Sequence, residues 1–68
     1  MILQDFLKMV IGPEFVYCHV LDPKERGEFC QGFADDLIAN PIFTRKLEVL
    51  SFYFMHSSLM VNARRIEK

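Results

Sequence analysis

The chain has 68 residues, 51% of them hydrophobic, with seven Phe, a mean hydropathy of +0.15 and a formal net charge of −1. That length allows one domain, which buries only about 60% of the surface its unfolded chain exposes. The composition excludes disorder, and the near-zero charge gives no global pull towards nucleic acid or a membrane surface.

Residues 1–44 carry seven acids against three bases, and residues 45–68 carry two acids against five bases. The two parts attract, which suits a C-terminal segment lying on the rest. The N-terminus lacks a basic leader and carries Asp5 and Lys8, so a cytoplasmic chain is expected. Cys18 and Cys30 are too few for a disulfide framework, which fits that compartment.

In chain order, residues 2–11 predict a short helix with Ile2, Leu3, Phe6, Leu7 and Val10 in one stripe. Gly12 and Pro13 end it. Residues 14–21, EFVYCHVL, favour a strand by residue type, but no second strand is evident to pair with it. They are read as helix or irregular, with a strand as the alternative. DPKE at 22–25 has the grammar of a helix start: Asp22 caps, Pro23 takes the first position, and Glu25 completes a capping box. A helix is expected from there to about Ala39, weakened by Gly27 and Gly32.

Asn40 and Pro41 repeat the grammar and predict a third helix from 41 to about 65. At about 100° per residue, Phe43, Leu47, Leu50, Phe54 and Val61 share one face; Ile42, Val49, Tyr53 and Met60 a second; Phe52, Met55, Leu59 and Ile66 a third. Such a helix is apolar nearly all round and needs burial on every side. The 13-residue stretch 49–61 contains His56 and is too short to span a bilayer, which takes about 20 apolar residues. The expected fold is therefore all-α, short helices followed by a long C-terminal helix, assembled as a homodimer through Val49, Tyr53 and Met60.

Four residues invite a catalytic interpretation. Phe33-Ala34-Asp35-Asp36 resembles the metal-binding turn of polymerases of the reverse-transcriptase kind, where paired aspartates on a hairpin hold divalent ions. On a helix the two carboxylates diverge by about 100°, and the chain is too short for a polymerase palm. They are read as a solvated helix edge. Cys18, His19, Cys30 and His56 lack the close-pair spacing of structural zinc sites. Cys18, Cys30 and His56 stand as the alternative zinc ligands, and a core or interface role is preferred. Cys30 with His56 lacks the orienting group and cleft that a nucleophile requires. Ser57 and Ser58 have no acid–base partner in view.

No cofactor, no catalytic residue and no membrane span is expected. The function expected is that of a non-catalytic protein-binding module: an inhibitor, adaptor or regulator of the kind common in bacterial and phage genomes. It would dock a helical apolar face carrying Phe52, Met55 and Leu59 into a partner's groove. Asp35 and Asp36 or Arg64 and Arg65 would set orientation. Met and aromatic side chains, Tyr17 among them, supply the anchors. The alternatives are a small DNA-binding regulator using Arg45, Lys46, Arg64, Arg65 and Lys68, and a small zinc-stabilised domain.

Overall fold

Strict alternation over the C-terminal segment sets the architecture. Leu59, Val61 and Ala63 are buried, whereas Met60 and Asn62 between them are half-buried and Arg64 is exposed. That is the period of a strand with one face on a core. The computed structural model describes residues 1–66. Its elements are α1 (Leu3–Lys8), β1 (Tyr17–Asp22), β2 (Gly27–Phe33), α2 (Ala34–Ile38), α3 (Pro41–Thr44), β3 (Leu47–Met55) and β4 (Ser58–Arg65). The four strands form one sheet in the order β2-β1-β4-β3. Two antiparallel hairpins, β1–β2 and β3–β4, join through a parallel β1–β4 pairing at the centre.

The three short helices share one face of this sheet. Leu3 and Leu7 of α1, with Ala34 and Leu37 of α2, pack on Cys18 and Val20 of β1, Leu47 of β3, and Leu59, Val61 and Ala63 of β4. Gln4 and Thr44 are the polar side chains buried among them. The Gln4 side-chain amide donates to the Ile38 carbonyl at 3.2 Å, and the Thr44 hydroxyl lies against Gln4 Oε1 and the Asn40 carbonyl. These contacts tie α1 to the ends of α2 and α3.

The all-α expectation is overturned, and the long C-terminal helix with it. Residues 47–65 are a hairpin, and the helical homodimer built on that helix goes too. The reason is a bulge. In β3, Val49 pairs with Ala63 and Ser51 with Asn62, leaving Leu50 as the extra residue. Leu47 and Val49 on one side of Leu50, and Phe52 and Phe54 on the other, therefore all face the helices. The inserted residue breaks the period of two, and because both faces of β3 are apolar the run imitates a helix that is apolar all round.

The helix expected over 22–39 shrinks to α2. Asp22 does cap: its Oδ1 accepts the Lys24 N–H at 3.1 Å and the Glu25 N–H at 3.3 Å. The cap closes a single turn, Arg26 then adopts φ +56°, and the chain returns as β2. The same capping chemistry serves a helix start and a hairpin loop. Gly32 suits its strand, since its φ of +157° strains any other residue. Residues 17–22 are a strand, and the second strand missing from the sequence argument is β2, with β4 on the other side. Within residues 2–11 a helix does form, and Gly12 takes the left-handed conformation, φ +69°, in the turn that follows. No helix among the described residues is long and apolar enough to cross a membrane.

Candidate functional site

Residues on the core-facing side of each strand alternate with residues on the side that carries no helix. Strand register arranges these in rows across the sheet. Phe33, Tyr17, Ser58 and Met55 form one row; Gln31, His19, Met60 and Tyr53 the next; Glu28, Leu21, Asn62 and Ser51 the third. Glu48 and Arg64 pair beyond them. The open face thus grades from aromatic and Met side chains at one end to charged ones at the other.

The rows are cross-linked by contacts. The Tyr17 ring meets Phe33 edge-on, centroids 5.2 Å apart at 87°, and meets His19 at 5.2 Å. His19 Nδ1 lies 2.9 Å from Glu28 Oε2, Asn62 Nδ2 donates to Ser51 Oγ at 3.0 Å, and Arg64 Nη2 reaches Glu48 Oε1 at 2.7 Å. Phe33 and Tyr53 nevertheless remain 41% exposed, and Met55 48%, which is high for large apolar side chains within a sheet.

The residues expected to bind a partner scatter over this frame. Met55 and Arg64 lie on the open face. Tyr53 and Met60, expected at a dimer interface, are direct cross-strand neighbours there, while Val49 packs towards the core. Phe52 is on the helix side, its ring 5.0 Å from that of Phe6, and Leu59 is in the core. Arg65 also points to the helix side, its guanidinium 5.6 Å from the centre of the Phe29 ring. Asp35 and Asp36 are exposed in the first turn of α2. The third-helix faces that grouped these residues do not exist. From the sequence, His19 is weighed as a zinc ligand and Phe33 within the Asp35-Asp36 motif, and neither they nor Gln31 are assigned to a partner-binding face. The signal was the alternation of Tyr17, His19 and Leu21 with buried Cys18 and Val20.

Cys18 and Cys30 lie on adjacent strands, both facing the helices, in the pairs Cys18–Gly32 and Val20–Cys30. Burial pushes the Cys18 thiol up to about 11, and Cys30 beside it adds to the effect. Burial, then the Glu28 charge, pushes Cys30 up to about 11. Protonated thiols of this kind are poor nucleophiles and poor metal ligands near neutral pH. His56 stands in the two-residue β3–β4 turn at φ +58°. Among the described residues no three His, Cys, Asp or Glu side chains gather closely enough to hold a metal ion.

The basic residues Arg45, Lys46, Arg64 and Arg65 meet at the far end of the β3–β4 hairpin, where the Ile66 N–H donates to the Lys46 carbonyl at 2.9 Å. Lys68 lies outside the described residues. Asp22, Glu25 and Glu48 share the recess there with Arg64 and Arg65, so both signs of charge are mixed. No family model matches the chain, and neither a curated protein nor a solved structure matches it significantly.

Proposed function

We propose that the chain is a non-catalytic protein-binding module that presents the open face of its sheet to another protein. One observation carries this: Tyr17, Phe33, Tyr53, Met55 and Met60 lie together on a sheet face that no helix among the described residues covers. Aromatic and Met side chains are the types enriched at the centres of protein interfaces. The His19–Glu28, Asn62–Ser51 and Arg64–Glu48 pairs supply a polar rim. A flat face of this kind binds by shape and by a few desolvated anchors, with no bond made or broken. The DNA-binding alternative has less support, because Arg64 and Arg65 share their recess with Asp22, Glu25 and Glu48.

The test is site-specific photo-cross-linking in the cells that make the protein, with benzoylphenylalanine replacing Phe33 or Tyr17. One discrete protein adduct from both positions is expected. The same adduct should persist when Asp35 and Asp36 are changed to Lys, because those residues belong to the helix layer. Absence of an adduct from either position, or its loss on changing the two aspartates, refutes the open face as the binding site.

A further inference from the structure

The sheet ends at β3, and most of that outer edge is uncovered. Its first part is occupied: Ile2 bridges to Glu48, and the Val49 N–H donates to the Met1 carbonyl at 2.7 Å. Beyond the Leu50 bulge nothing among the described residues pairs with the outer side of Ser51–Met55. A two-residue hairpin turn closes on a hydrogen-bonded pair, here Met55 with Ser58. Alternation from that pair turns the N–H and C=O groups of Phe54 and Phe52 outwards. Val49, whose N–H also points outwards, fits the same alternation once the bulge is counted.

The run from Val49 to Met55, VLSFYFM, contains no charge, no Pro and no Gly. Charges and Pro are devices that protect an edge from pairing, and the bulge at Leu50, another such device, lies before the uncovered part of the strand. Both faces of the run are apolar and exposed: Phe52 is 54% and Phe54 68% exposed on the helix side, with Tyr53 and Met55 on the other. Beside it on the helix side runs an apolar groove of about 410 Å³, lined by Phe6, Met9, Ile11, Phe52 and Phe54. The opposite edge of the sheet differs. There β2 carries Glu28, two glycines and its own irregularity.

We propose that the occupant of the β3 edge is a second copy of this chain, paired antiparallel about a two-fold axis at Tyr53. Phe52 of one copy then stands opposite Phe54 of the other, and the two sheets become one of eight strands. The segment is its own complement. Phe meets Phe on the helix side, Tyr meets Tyr on the open side, and no like charges are opposed. The axis is perpendicular to the sheet, so the helices of both copies lie on the same side and their grooves merge over the four Phe rings. A foreign strand would leave its own far edge bare, whereas the two-fold leaves only the two β2 edges, each guarded by Glu28.

Sedimentation velocity and two variants test this. The wild-type chain is expected to sediment as a dimer, and Phe54→Lys as a monomer with an unchanged far-ultraviolet circular dichroism spectrum. Tyr53→Cys, oxidised, is expected to form a disulfide-linked dimer. A non-hydrogen-bonded antiparallel pair brings Cα atoms to about 4.5 Å, inside the disulfide range of about 4.4–6.8 Å. A wild-type monomer, a folded Phe54→Lys that remains dimeric, or a Tyr53→Cys that fails to link overturns the proposal. Should Phe54→Lys not fold, the Tyr53→Cys outcome decides. Phe54→Lys leaves Tyr17, Phe33 and Met60 intact, so loss of the dimer and loss of open-face binding are read separately.

Discussion

Gln4 and Thr44 form a polar contact inside an otherwise apolar core, and three helices depend on it. Gln4→Leu keeps the volume but strands the Ile38 carbonyl and one of the two Thr44 contacts. A buried group left without its partner costs about 1–3 kcal/mol. Urea unfolding should show a loss of that size, whereas Gln4→Glu at low pH, which keeps an acceptor for Thr44 and a protonated donor for Ile38, should lose less. The two thiols give a pH-dependent effect. Both pKa values are raised in the folded chain, from the ordinary 9.0 to about 11, so the native state holds protons that the unfolded state has released. Their contribution is complete below pH 9.0 and is lost as pH rises to about 11. The urea midpoint should fall across that window, and less steeply in Cys30→Ala. The capping role of Asp22 and the left-handed Gly12 were legible in the sequence because each depends on neighbours within a few residues. The Gln4–Thr44 contact was not, because only the tertiary fold brings residues 40 positions apart together.

At the level of elements, the β3 bulge separates two kinds of change. Deleting Leu50 leaves Val49 opposite Ala63 and Ser51 opposite Asn62, so every side chain keeps its face. Deleting Tyr53 instead slides one half of the strand by a single residue, which exchanges the helix side for the open side. The Leu50 deletion should therefore retain a cooperative urea transition, and the Tyr53 deletion should lose it or shift it by several kcal/mol, on the scale of about 2–5 kcal/mol for a lost large core contact. The bulge is also where sequence reasoning failed. Without Leu50, Leu47, Val49, Phe52 and Phe54 would have kept the period of a strand. The extra residue shifts the phase between two short alternating runs, and a helical period then accommodates both. For β4, where no bulge intervenes, Leu59, Val61 and Ala63 carried the strand signal openly. The helical assignment upstream, propagated from Asn40-Pro41 into α3 and beyond, overrode it.

Across the whole molecule, the excess of apolar residues was visible from composition and does reach the surface, as Ile11 at 94% and Phe15 at 81% exposure attest. How that surface is laid out was not visible, because strand order depends on pairings between distant segments. The open face draws its rows from four strands, and no local pattern announces that Phe33, Tyr17 and Met55 share one row. The parallel β1–β4 pairing has a consequence for synthesis. The two central strands come from opposite ends of the topology, and β4 is the last strand of the sheet to leave the ribosome. A nascent chain halted before Ser58 holds a β1–β2 hairpin with a bare inner edge. It also lacks Leu59, Val61 and Ala63, which form the middle of the core. Long-range pairings of this kind close late and slowly. The sheet therefore closes only after translation has passed β4, and until then the inner edge of the β1–β2 hairpin needs protection from other chains.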